Sequence, residues 1–314
     1  MCLLAADIHL IFRLCLRLSS GRPLPRPVTT GGRCPPSGDR SDPFRIPPSR
    51  DQGDTMRTAL FVTCLNDALH PQTGRATVSL LRRLGVSVDF PPRQSCCGQM
   101  HYNTGYRKET AKLARHFVDV FGAYDEIVVP SASCGGLPSE AYERAAQASG
   151  DAGLLRDVRA IAPRVHELTR YLTDVLGVED VGAHFPHRVT YHPTCHSLRA
   201  TGLGDRPYRL LRAVDGIDFV ELPAEEECCG FGGTFSVKNG AVSGAMNGDK
   251  ARHVWETGAH VLAAVDNSCL MNIGGRLTKD GHAVRTLHLV EILARTRADG
   301  PLADVPVARN GALR

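Results

Sequence analysis

Eight cysteines of this 314-residue chain stand in two sets of four with nearly the same spacing. Cys64 is separated by 31 residues from the pair Cys96-Cys97, and 36 residues then separate Cys97 from Cys134. Cys195 is separated by 32 residues from Cys228-Cys229, and 39 separate Cys229 from Cys269. Matching cysteines are offset by 131, 132, 132 and 135 positions, and a glycine, Gly98 or Gly230, follows each pair. Thiolate sulfur is a soft donor and a nucleophile, so the chemistry on offer is redox or metal chemistry. Four explanations compete. Disulfides belong to exported proteins, and a secretory leader is not expected, because Asp7, His9, Arg13 and Arg17 interrupt the apolar residues of 1–18. Structural zinc needs four tetrahedral ligands, usually from spaced knuckles, and adjacent cysteines rarely both reach one small ion. Inert buried cysteine suits any single position but not eight in duplicate register. Iron–sulfur ligation draws several thiolates onto a cluster wide enough for neighbouring cysteines to reach different irons, and it fits best.

The elements that must hold these residues follow an alternating pattern. Residues 58–63 form a short apolar, β-branched run, and Val78, Leu80, Leu81 and Leu84 recur at helical spacing over 74–84. Val86-Ser-Val-Asp-Phe90 alternates like a strand. Leu113, Phe117, Val118 and Phe121 share one helical face over 107–121, and Ile127–Val129 reads as a buried strand. The second unit repeats the contexts: Ala59-Leu-Phe-Val-Thr-Cys64 answers Val189-Thr-Tyr-His-Pro-Thr-Cys195, and Ile127 to Cys134 answers Val261 to Cys269. The order βαβαβ implies an α/β fold of two tandem repeated lobes with parallel sheets. Each cysteine then follows a strand, at the carboxyl edge where open α/β sheets place their ligands. Val165, Leu168, Leu172, Val175 and Leu176 predict an amphipathic helix over 164–176 that joins the lobes. The expected organisation is a first lobe at 56–160, a linker helix at 161–180, a second lobe at 181–300 and a tail at 301–314.

Residues 1–55 read differently. Positions 19–55 hold 8 proline and 5 glycine with no period, a composition that does not build a core. Cys2, Cys15 and Cys34 fall in this segment and match no spacing used later. The expectation is a disordered extension, or translated upstream sequence with Met56 as the natural start. Elsewhere the composition is that of a globular protein, 42% hydrophobic and 22% charged. The formal charge of +4 comes from 37 basic and 33 acidic residues without a basic block, which argues against a nucleic-acid binder. No apolar run reaches the length of a membrane span.

Other residues carry weaker signals. Gly230-Phe-Gly-Gly-Thr234 is a poor dinucleotide fingerprint, and close backbone approach to a cluster, with N–H groups directed at sulfur, is the better reading. His70, His101, His192 and His196 lie within a few residues of the cysteines. A satisfied structural histidine is the commoner case for each, with a proton donor or cluster ligand as the alternative. Arg75 and Arg199 could anchor a carboxylate, although a solvated arginine is the simpler reading. Nothing resembles a Ser-His-Asp triad, a phosphate-binding loop or a ferredoxin cysteine run.

The duplicated pattern resembles the cysteine-rich CCG domain family, which includes iron–sulfur subunits of heterodisulfide reductase and of glycolate oxidase. Leu60-Phe-Val-Thr-Cys64, Cys96-Cys-Gly-Gln99, Tyr102-Asn-Thr-Gly-Tyr106, Tyr191-His-Pro-Thr-Cys-His196 and Cys228-Cys-Gly-Phe-Gly-Gly233 are most similar to its lactate-utilisation branch. The resemblance spans about Met56 to Arg295. It implies an iron–sulfur electron-transfer subunit of a cytoplasmic complex that oxidises L-lactate, or a related 2-hydroxy acid, to pyruvate. It also implies companion subunits, one of them ferredoxin-like, without which the chain would be inactive. All eight cysteines would hold one or two clusters. The broader family ends each motif in Cys-x-x-Cys, whereas here the motifs end Cys134-Gly-Gly-Leu137 and Cys269-Leu-Met-Asn272. Four thiolates per unit suit a [4Fe–4S] cube. A cluster-dependent thiol–disulfide reductase and a non-redox metal scaffold are the alternatives.

Overall fold

The structure, a computed structural model, describes residues 56–305. The expectations for residues 1–55 therefore lie outside the described residues. Two four-stranded, all-parallel sheets carry the fold. The first contains β1 (Thr58–Leu60), β2 (Val88–Asp89), β3 (Glu126–Val129) and β4 (Val165–Glu167), in the order β2-β1-β3-β4. The second contains β5 (Arg188–Tyr191), β6 (Asp218–Val220), β7 (Val261–Ala264) and β8 (Arg285–His288), in the order β6-β5-β7-β8. The two orders are the same topology written twice. The expected two-lobed parallel α/β fold is the one observed.

Both faces of each sheet are covered, which is why the central strands read as continuous apolar runs. Alternate residues of one strand serve different cores. Ala59, Phe61, Ile127 and Val129 face an outer core with the helices Arg107–Phe121, Glu143–Ser149 and Ala152–Ile161. Val128 faces the opposite way, into a central core shared by both lobes. Leu80 and Leu81 of the helix Pro71–Arg83 meet Val189, Tyr191, Val261 and Ala263 of the second sheet there. Leu262 and Ala264 face a third core under the helices Gly240–Glu256 and Asn267–Lys279.

Each lobe has one strand more than its βαβαβ reading. Residues 165–167, expected within a linker helix, form β4 and pair with β3 in register Ile127 with Val165 and Val129 with Glu167. Pro163 explains the difference, because it cannot continue a helix through from Ala152–Ile161. Helical structure resumes at Leu168, where the Glu167 carboxylate accepts from the Thr169 and Arg170 N–H groups. In the second lobe His288 ends β8 and caps the helix Leu289–Leu293 through the Val290 N–H. Leu302 and Val305, in the expected tail, pack on the central core.

Candidate functional site

Every one of the eight cysteines follows the carboxyl end of a strand. Cys64 opens the helix Cys64–Leu69 after β1, Cys96 and Cys97 lie in the loop after β2, and Cys134 sits in the short helix Ala132–Gly135 after β3. Cys195 opens the helix Cys195–Arg199 after β5, Cys228 and Cys229 follow β6, and Cys269 lies in the first turn of Asn267–Lys279 after β7. Parallel pairing thus brings residues far apart in sequence to one edge of each sheet.

Within each lobe the sulfurs form a chain of contacts. In the first, Cys64 and Cys97 hydrogen-bond to Cys96, and the Cys97 and Cys134 sulfurs are 3.0 Å apart. In the second, Cys195 and Cys229 hydrogen-bond to Cys228, and Cys229 and Cys269 are likewise 3.0 Å apart. The cysteines are thiols rather than disulfides. The glycine after each pair has a structural reason. Gly98 and Gly230 adopt φ of +89° and +83°, and their N–H groups point to the Cys96 and Cys228 sulfurs at 3.4 Å. A Cβ at Gly98 would lie 2.9 Å from Leu113 Cδ1, and one at Gly230 would lie 2.6 Å from the Ser243 carbonyl oxygen.

This arrangement separates the members of each pair electrostatically. Hydrogen bonds from Cys64, Cys97 and the Gly98 N–H hold Cys96 well below the usual thiol range. The equivalent bonds from Cys195 and Cys229, with the Gly230 N–H, bring Cys228 down to about 2. Cys97 donates to Cys134 and is buried, and both effects push it up. Cys229 and Cys195 are pushed up in the same way, the first by its contacts with Cys228 and Cys269, the second by its bond to Cys228. One thiolate per lobe is therefore favoured by the protein alone. The pair's backbone is braced too: the Tyr142 hydroxyl donates to the Cys97 carbonyl at 2.7 Å, and the Asn272 amide donates to the Cys229 carbonyl at 2.8 Å.

A cavity of about 100 Å³ borders all four cysteines of the first lobe and is lined from the second by Phe231, Gly233, Asp266, Asn267 and Ser268. Asp266 also ties the lobes together. Its Oδ1 accepts from the Ser131 hydroxyl (2.7 Å), the Ser133 hydroxyl (2.8 Å) and the Ser133 N–H (3.1 Å). Its Oδ2 accepts from the Thr194 hydroxyl (2.7 Å). Ser133 and Thr194 directly precede Cys134 and Cys195, so one buried carboxylate fixes a cysteine segment in each lobe. Sequence reasoning missed this residue, although the mismatch of Ser131 with Asp266 between the repeats was visible.

The histidines separate sharply. His70 is half-buried and meets Gln72 at 3.4 Å. His196 meets Gln99 across the lobes at 2.7 Å. The charge of His101 helps lower Cys96. His192 is 0% exposed, both its ring nitrogens lack a hydrogen-bond partner, and burial brings it down to about 3. Arg75 and Arg199 are exposed and do not border the cavity; Arg199 donates to the Glu226 carbonyl.

Two parallel lobes, each with a Cys, a Cys-Cys-Gly turn and a further Cys at its strand ends, define a class of protein. The cysteine-rich domain model, CCG, matches residues 58–137 and again 189–274, and the chain belongs to that family. Among its relatives, "Lactate utilization protein A" of Oceanobacillus iheyensis is 45% identical over 245 residues, 78% of this chain and 99% of that protein. The protein of the same name from Exiguobacterium sp. is 47% identical over 237 residues, 75% of this chain and 96% of the relative. Among solved structures, a hypothetical protein from Helicobacter pylori shares the fold, with a TM-score of 0.52 at 11% identity over 76% of this chain. The match covers 48% of that longer chain. No helix among the described residues is long and apolar enough to cross a membrane.

Proposed function

We propose that the chain is an iron–sulfur electron-transfer subunit of a complex that oxidises L-lactate or a related 2-hydroxy acid to pyruvate. The observation that carries this reading is the duplicated set of four converging thiols in a chain similar over 78% of its length to a lactate utilization protein A. The donor set fits a cluster: sulfur is the soft ligand iron–sulfur centres take, and the first lobe's four cysteines border one cavity. Cys64, Cys96, Cys97 and Cys134 would hold one centre, and Cys195, Cys228, Cys229 and Cys269 a second. When bound, such a centre accepts and releases electrons singly.

The chain's own residues prepare the site. Cys96 and Cys228 are held as thiolates, the form that binds metal. The Gly98 and Gly230 N–H groups stay directed at their sulfurs, where they offset negative charge. Phe231 lines the first-lobe cavity from the second lobe and gives it an apolar wall. Oxidation of lactate to pyruvate releases two electrons and two protons, and the electrons pass on to a ferredoxin-like iron–sulfur partner. Purified without oxygen, the full chain should contain iron and acid-labile sulfide in similar amounts and little zinc. It should oxidise lactate with an artificial acceptor only when companion subunits are added. Stoichiometric zinc without sulfide would overturn the redox reading, and turnover by the chain alone would overturn the dependence on partners.

A further inference from the structure

We propose that His192 is a metal ligand in the second lobe and forms with Cys229 and Cys269 a mixed imidazole–thiolate site, so that the two lobes hold chemically different centres. The proposal rests on the metal-binding reading above and adds a non-cysteine ligand. A ring nitrogen of His192 and the sulfurs of Cys229 and Cys269 all lie within 4.8 Å of one another, and all three residues are buried. An ion bound by imidazole and thiolates at about 2.0–2.3 Å keeps its donors roughly 3.5–4 Å apart, so small side-chain shifts close this triad onto one metal atom. The imidazole has no competing role. Both its nitrogens are without a hydrogen-bond partner, a rare state for a buried polar group that ligation would relieve at the nitrogen nearer the thiols.

The first lobe cannot build this site. The residue that answers His192 at the repeat offset of 131 is Phe61. Its ring is closed over by Phe117 and Phe121, each with its centroid 5.3 Å away. Around His192 the neighbouring cation is Lys250, on the helix Gly240–Glu256, and its Nζ is turned to the Ala224 carbonyl at 2.5 Å. The ammonium is therefore engaged elsewhere, and the imidazole faces the thiols. A neutral imidazole added to the thiolates of the second lobe, with no counterpart in the first, makes the two centres chemically different.

The test uses the full chain, labelled with ¹⁵N-histidine, purified without oxygen and reduced, with pulsed EPR as the readout. The expected result is a nitrogen coupling of the size of a coordinated imidazole, lost in both His192→Phe, which copies the first lobe, and His192→Gln. No such coupling in protein whose iron content accounts for both lobes would overturn the assignment. Iron content unchanged by Cys229→Ser would overturn it as well. Protein without iron and sulfide would instead overturn the iron–sulfur reading, and cobalt(II) then becomes the probe. Ligand-field bands that shift in His192→Phe would support the ligand, and bands identical in wild type and variant would refute it.

Discussion

Replacing Asp266 tests whether the lobes are held by one buried carboxylate. Four donors converge on it: the hydroxyls of Ser131, Ser133 and Thr194 and the Ser133 N–H. Hydrogen bonds to a charged acceptor contribute ~1.5–3 kcal/mol each, so a simple sum would exceed 6 kcal/mol by about this measure. The real loss is smaller, because orphaned hydroxyls rotate towards one another; Ser131 and Ser133 already stand 3.1 Å apart. The Ser133 N–H has no such freedom. Asp266→Ala is therefore expected to cost about 3–5 kcal/mol, a large share of the ~5–15 kcal/mol typical of a folded domain. Asp266→Asn keeps the volume and one acceptor oxygen and should cost about 1–2 kcal/mol. Urea denaturation of the reduced proteins without oxygen, followed by circular dichroism, measures both. Loss of less than about 1 kcal/mol in the alanine variant would refute the assignment of Asp266 as the tie between the lobes.

Two further expectations concern the ends of the strands. Burial raises the Glu167 carboxyl to about 7, against an ordinary 4.5, and its Oε1 has no hydrogen-bond partner. The unfolded chain loses this proton first as pH rises, so the contribution of Glu167 to stability declines between about pH 4.5 and 7 and is constant above. The advantage of Glu167→Gln over wild type should grow by about 3 kcal/mol across that interval, and a difference independent of pH would count against a buried, protonatable Glu167. Gly230→Ala forces a side chain into the left-handed region and against the Ser243 carbonyl, and it should destabilise by about 2 kcal/mol or more. Gly98→Ala carries the same left-handed strain, but its one contact under 3.0 Å is the movable Cδ1 of Leu113, so it should cost less, and equal midpoints in thermal unfolding would contradict the packing argument.

The parallel lobes and the eight converging cysteines were legible because strand patterning and the Cys-Cys-Gly register repeat twice. The fourth strands were not. β4 is three residues long, and the helical spacing of Leu168, Leu172 and Val175 directly after it masks the break that Pro163 makes. Proximity in sequence put four histidines on equal footing, whereas of these four only His192 is fully buried with both ring nitrogens unpartnered and lies beside two thiols. Burial of that kind depends on which helices cover a strand, which local pattern does not reveal. Comparing the repeats for their differences, Phe61 with His192 and Ser131 with Asp266, would have located both residues.

Ser131 and Asp266 have one more implication. They stand at the same place in the two repeats, β3 and β7 being aligned at an offset of 135, and yet they touch each other. A contact between equivalent positions is the mark of an isologous interface, the kind two identical subunits form about a twofold axis. A homodimer of single lobes would have to set the same side chain against itself there. Two serines would leave the Thr194-type hydroxyl without its carboxylate, and two aspartates would confront like charges in a dry interface. Joining both copies in one chain frees each from the other's sequence. The axis can then carry an acceptor on one side and donors on the other, and the same freedom lets one repeat pack Phe61 into an aromatic core where its counterpart sets His192 beside thiols.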